Sequence, residues 1–193
     1  MEPSKASRLS SLRSLAPGFL VATPTLLDPN FTKTVVMLVE HSPQGAMGFV
    51  VNRKAPMSFR DLASSIGVDG SIDIPVLFGG PVSRTGWVIF DPNEVDPSLL
   101  RDAVLIDSRI GISASRRLLE GVRHAKHRFF AVGYAGWGEG QLDAELAQGT
   151  WIPLPLDPSI VFECPLSERW EKVLRAAGID PLRIMAKPSV GVS

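Results

Sequence analysis

Residues 16–52 read APGFLVATPTLLDPNFTKTVVMLVEHSPQGAMGFVVN, and this stretch decides the fold. Phe19 to Ala22 is a short apolar run bounded by Pro17-Gly18 and Pro24, which predicts a strand with punctuated ends. Asp28-Pro29-Asn30 is a turn signal, because an Asx side chain before proline favours turn initiation. Thr34 to Glu40 (TVVMLVE) and Ala46 to Asn52 (AMGFVVN) are two further strands. His41 to Gly45 joins them at hairpin length, with Gly45 free to take a positive φ. Two continuous apolar runs imply a sheet covered on both faces. This antiparallel pair is central.

Downstream, Ser58-Phe-Arg-Asp61 is a capping box that opens a helix through Leu62 and Ile66, stopped at Gly67. Val76 to Phe78 and Thr85 to Phe90 read as strands, and the pair is expected to form a second hairpin whose loop carries Ser83 and Arg84. Ala103 to Ile106 reads as a short strand. Ser113 or Ser115 caps a helix with Leu118, Leu119 and Val122 on one face. His127 to Ala135 is the next strand by its aromatic and β-branched content. The corner Gly136-Trp-Gly-Glu-Gly140 leads into a helix over 141–148. Thr150 to Pro153 and Ser159 to Phe162 read as extended. A last helix over 167–177 buries Trp170, Val173, Leu174 and Ala177, with Gly178 as its C′ residue. The division is an N-terminal arm over 1–15, one domain over 16–185 and a tail over 186–193. Strands with hairpin-length links outnumber helices. The fold class is therefore α+β, a single compact domain with a mostly antiparallel or mixed sheet, open to barrel-like closure, and flanking helices.

Composition sets bounds. The 193 residues carry 20 basic and 20 acidic side chains, so no global field directs the chain to nucleic acid or acidic lipid. A chain of this length buries enough core to need no staple. The single cysteine, Cys164, excludes an intramolecular disulfide and fits a reducing cytoplasm. No apolar run reaches the length of a membrane helix.

The segments PGFLVATP (17–24), DPNFTKTVV (28–36), Glu40-His41, GAMGFVVN (45–52), GGPV (79–82) and YAGWGEGQLDAE (134–145) resemble the AlgH/YqgE family of bacterial proteins. They stand in that family's order and span residues 16 to 180. The resemblance implies a cytoplasmic α+β domain and the label of a transcriptional regulator, without a DNA-binding motif or an agreed activity. The sequence departs from the family after Trp87, where many members carry a histidine and Phe90-Asp91 stands here.

Asp28, Glu40, His41 and Asn52 lie at strand ends, where a carboxylate and an imidazole could approach within the ~3 Å that acid/base work needs. The plainer reading is an Asx turn at Asp28 and backbone satisfaction by the others. The corners Gly79-Gly80 and Gly136-Trp137-Gly138, with Gly140 and Gln141 behind, could let a backbone approach a ligand or simply turn tightly. Convergence of both corners with His41 would make one polar pocket. Basic residues outnumber acidic ones seven to three between 101 and 130. There Arg116, Arg117, Arg123, Lys126 and Arg128 could track phosphates or form an ordinary solvated face.

Three histidines and one cysteine show no paired metal-ligand spacing, so neither metal nor cofactor is expected. No serine or threonine stands in a nucleophile motif, and Cys164 reads as inert. The preferred expectation is a non-catalytic binding or regulatory module contacting a protein or small ligand. A cofactor-free enzyme using His41 is the alternative, and direct nucleic-acid binding ranks last.

Overall fold

A computed structural model describes residues 14–185; the N-terminal arm up to residue 13 and the tail from 186 lie outside the described residues. The opening stretch forms β1 (Gly18–Ala22), β2 (Val35–Ser42) and β3 (Gly45–Val50), with β2 antiparallel to both of its neighbours. The β2–β3 turn is tighter than the sequence suggests. Ser42 pairs with Gly45, so only Pro43 and Gln44 lie between the strands and His41 belongs to β2. Helix α1 (Phe59–Ile66) starts on the expected capping box, with Ser58 and Asp61 satisfying each other's backbone N–H, and Gly67 ends it.

Next come β4 (Val76–Phe78), β5 (Val82–Phe90), β6 (Val104–Asp107), β7 (Ile110–Ser113), α2 (Arg116–Gly121) and β8 (Arg128–Trp137). Then follow α3 (Gln141–Ala147), β9 (Trp151–Pro155), α4 (Pro158–Phe162), α5 (Arg169–Ala176) and α6 (Pro181–Met185). The strand order is β6-β7-β5-β8-β3-β2-β1-β9, and β4 adds to β8 off this path. Every pairing of named strands is antiparallel except β4 with β8. The result is a single α+β domain whose sheet curls into a half-barrel.

Three expectations need correction, and one strand is added to them. β4 and β5 do not form a hairpin: β4 pairs in parallel with Phe130–Val132 of β8, while β5 pairs antiparallel with the same strand. The link between them packs on the β8 backbone itself. A Cβ on Gly79 would lie 2.3 Å from Gly133 O, and one on Gly80 would lie 2.2 Å from the Tyr134 carbonyl carbon. Both glycines are required by this approach, and Gly80 also has φ 150°. Ser159–Phe162 is helical, because Asp157 accepts the Ser159 N–H and Pro158 supplies the first helical residue. Residues 110–113 add a strand with no local signal of its own, paired between β5 and β6. Ala177 is exposed, because α5 ends at Ala176 and the chain turns at Gly178.

The sheet is covered on both faces. One face carries Phe19, Val35, Met37, Phe49, Ile89 and Ala131 beneath α4 and α5, which contribute Ile160, Trp170, Val173 and Leu174. Each such aliphatic side chain contributes about 1.5–3 kcal/mol by burial. The opposite face is divided. Val88, Phe90 and Phe130 pack under α1 and α2; Val36, Leu38, Ala135 and Trp137 pack under α3, which adds Leu142.

Candidate functional site

Strand alternation alone would place Glu40 and His41 differently from where they stand. The β2–β3 register runs Met37↔Phe49, Leu38↔Gly48, then Glu40↔Met47 and His41↔Ala46, so Val39 is an extra residue, a bulge. The bulge puts Glu40 and Ser42 on the face shared with Met47. His41 moves to the other face with Ala46. In β8 the left-handed Gly133 (φ 72°) makes a second break in alternation, opposite a register shift between Val82 and Gly86. Tyr134 and Gly136 thereby join Met47 on the first face. Together Glu40, Ser42, Gly45, Met47, Val82, Tyr134 and Gly136 line a shallow groove of ≈ 460 Å³ running across the ends of β5, β8, β3 and β2.

His41 is enclosed, its side chain 6% exposed. Its Nδ1 accepts the Leu15 N–H at 3.2 Å. A backbone N–H can only donate, so the ring proton sits on Nε2, which faces Asp143 Oδ1 of α3 at 3.3 Å. Both nitrogens are engaged in holding the N-terminal segment and α3 to β2. No nitrogen is left to take a proton from a substrate.

Behind the groove, Trp137 and Trp151 stand edge to face with centroids 5.9 Å apart, and Phe31 contacts both rings. Glu145 of α3 accepts both indole N–H groups on Oε2, at 2.9 Å from Trp137 and 2.7 Å from Trp151. Its Oε1 accepts from Gln141 Nε2 at 2.9 Å, and Gln141 Oε1 accepts the Gly138 N–H. The glycine corner is thus the lid of an aromatic cluster. Glu145 and Asp143 were not singled out from the sequence, although the i,i+4 spacing of Gln141 and Glu145 was a usable signal.

The other strand-end residues have local tasks. Asp28 Oδ1 accepts the Asn30 N–H at 2.8 Å, an Asx turn on the exposed surface. Asn52 extends the sheet with its side chain, Oδ1 accepting from Val35 N and Nδ2 donating to Lys33 O. Gly79 and Gly80 are buried in the crossover, and Gly138 and Gly140 are exposed at the start of α3. Glu40, Gly136 and Trp137 therefore converge in the groove, while His41 and the Gly79-Gly80 corner do not.

The basic run is dispersed among protein acceptors. Arg116 donates to Gly67 O, and Arg117 and Arg123 pair with Asp102 and Asp69 at 3.7 and 3.3 Å. Arg128 donates to the carbonyls of Ala125 and Asp73. Only the Lys126 side chain has no partner among the described residues.

Asp91, Glu94 and His127 bring three potential metal donors together, but protein donors occupy their oxygens. Asp91 accepts from Asn93 and Arg109. Glu94 accepts from the Lys126 and His127 N–H groups and from His127 Nδ1 at 2.5 Å. Burial alone would raise the Glu94 carboxyl, but these hydrogen bonds outweigh it and hold it below its ordinary value. The cluster fastens the turn after β5 to the start of β8. Burial pushes the Cys164 thiol up, against the opposing pull of Arg169, consistent with an unreactive cysteine. Arg169 is itself buried over the Phe129 ring and donates to the Cys164 and Val51 carbonyls; burial lowers it to about 10.

These features define an α+β domain built on a curled sheet, clad on both faces, with an open groove where the cladding stops. The chain belongs to the AlgH-like family, whose profile matches residues 19–182. Among curated relatives, the UPF0301 protein of Anaeromyxobacter dehalogenans strain 2CP-1 is 40% identical over 179 residues, covering 86% of this chain and 90% of that one. A UPF0301 protein of Methylococcus capsulatus is 35% identical, covering 89% and 93%. The solution structure of the AlgH protein from Pseudomonas aeruginosa aligns with a TM-score of 0.74 at 29% identity, covering 98% of this chain and 99% of that one. No helix among the described residues is long and apolar enough to cross a membrane.

Proposed function

We propose that the chain is a non-catalytic binding module. Its groove takes an extended segment of a partner protein that carries a lysine or arginine, and any influence on transcription passes through that contact in the cytoplasm. One observation carries the reading. Of the strand-end polar groups, Asp28, His41 and Asn52 are engaged by the protein itself, whereas Glu40 faces the groove with no protein partner among the described residues. Among the described residues of the lining, Glu40 is also the one acidic or basic side chain. A carboxylate beside the apolar surfaces of Met47, Val82 and Tyr134 suits a cationic side chain whose methylenes lie on the apolar wall. The groove crosses four strands and is shallow, a shape that suits an extended chain.

The enzymatic alternative depended on His41, whose two nitrogens are occupied. Nucleic-acid binding depended on a concentrated cationic surface, and four of its five residues are tied to protein acceptors.

The test is a thermal-shift panel of capped tripeptides Val-Arg-Val, Val-Gln-Val and Val-Glu-Val against the wild type and Glu40→Lys. A ligand at 100 times its dissociation constant stabilises by ~2.7 kcal/mol. The expected result is stabilisation by Val-Arg-Val alone, reversed in favour of Val-Glu-Val by Glu40→Lys. Equal shifts for the three peptides would reject the assignment.

A further inference from the structure

We propose a second ligand site on the other face of the sheet, for a small apolar carboxylate. Between α1, α2 and the sheet lies a cavity of ≈ 230 Å³ walled by Ile66, Val88, Leu119 and Phe130. Its rim carries Arg116 and Ser115. The Arg116 side chain reaches from α2 to the Gly67 carbonyl at the end of α1, so it bridges the two helices that border the opening. That bond engages Nη2.

Charge argues for an anion. Arg117 and Arg123, near it in sequence, each have an acidic partner. Arg116 has none among the described residues, and the other described residues of the lining include no ionisable group. The Ser115 hydroxyl, which makes no capping bond to α2, adds a donor on the same rim. An apolar chamber under a single guanidinium matches a molecule with an apolar body and one carboxylate. The guanidinium fork binds a carboxylate through two parallel N–H···O bonds.

Size narrows the class. The cavity has room for about eight waters at liquid density and falls below the roughly 300–1,000 Å³ of pockets for drug-sized ligands. A nucleotide or sugar phosphate is too large and too polar for these walls. A short branched or aromatic acid fits both size and lining.

The experiment is a ¹H–¹⁵N correlation titration of the full chain with phenylacetate and with its neutral isostere phenylacetamide. Saturable shifts are expected at the amides of Gly67, Gly86, Ser115 and Leu119, with the amide ligand binding at least about tenfold more weakly. Arg116→Gln should abolish the preference for the acid while leaving the spectrum otherwise dispersed. Equal binding of acid and amide would overturn the proposal, as would the absence of saturable shifts at those four positions. The wild-type comparison stands on its own if the variant folds poorly.

Discussion

Glu145 is the residue on which the aromatic cluster depends. Its carboxylate receives the N–H groups of two tryptophans, Trp137 and Trp151, that are 7% and 3% exposed. Glu145→Ala leaves both donors buried without an acceptor, at about 1–3 kcal/mol for each. Urea unfolding followed by tryptophan fluorescence should show a loss of about 2 kcal/mol or more. Glu145→Gln keeps one acceptor oxygen and should lose less; equal losses would contradict the clamp. A carboxylate in another setting adds to the acid sensitivity of the fold. Glu94 is held below its ordinary 4.5 by the groups around His127, so the unfolded chain binds more protons as pH falls. The stability it contributes is complete above about 4.5 and is lost as pH drops through the folded value. Glu94→Gln should therefore be less stable at pH 7 and show a shallower decline toward pH 3 in urea midpoints. Parallel curves for the two proteins would refute this. At this scale the sequence named Glu40 and His41 together and could not say which of them faces the groove. Strand alternation puts them on opposite faces, but the bulge at Val39 decides which face each one takes, and bulges leave no mark in an apolar run.

At the scale of elements, glycines fall into two kinds that composition does not distinguish. Gly79 and Gly80 lie on the β8 backbone, where a Cβ has no room, whereas the nearest atom to a Cβ on Gly138 is Gln141 Oε1 at 3.9 Å. Gly79→Ala should cost several kcal/mol or prevent folding, while Gly138→Ala should stay within about 0.5 kcal/mol of wild type. Thermal unfolding of the two variants checks the contrast, and a stable Gly79→Ala would mean that the crossover is not packed as described. The elements with local signals were legible: the Ser58–Asp61 capping box, the strands around Val35 and Phe130, and the helix after Gly140. The β4–β5 connection was not, because whether two neighbouring strands pair or flank a third is decided by long-range contacts. Residues 159–162 read as extended from their apolar run alone, whereas the Asp157-Pro158 pair ahead of them is a helix start.

For the whole molecule, the zero formal net charge and the paired arginines predict no useful affinity for nucleic acid. A 20-base-pair duplex should show no retardation with this protein at physiological salt. Steeply salt-dependent binding lost in Arg116→Ala/Arg117→Ala would restore the basic-face reading. The fold class, the central hairpin and the family were all readable from the sequence, because they rest on strand pattern and motif order. The groove was only partly readable. Glu40, Gly136 and Trp137 were among the candidates, but Met47, Val82 and Tyr134 enter it through two breaks in strand alternation. The most direct measurement is calorimetric titration of the capped Val-Arg-Val peptide into wild type, Glu40→Gln and His41→Gln, with the unfolding free energy of each. The account predicts a crossed result: Glu40→Gln loses binding by about tenfold or more and keeps its stability, whereas His41→Gln loses stability and keeps binding. Binding lost with His41→Gln but retained with Glu40→Gln would contradict it.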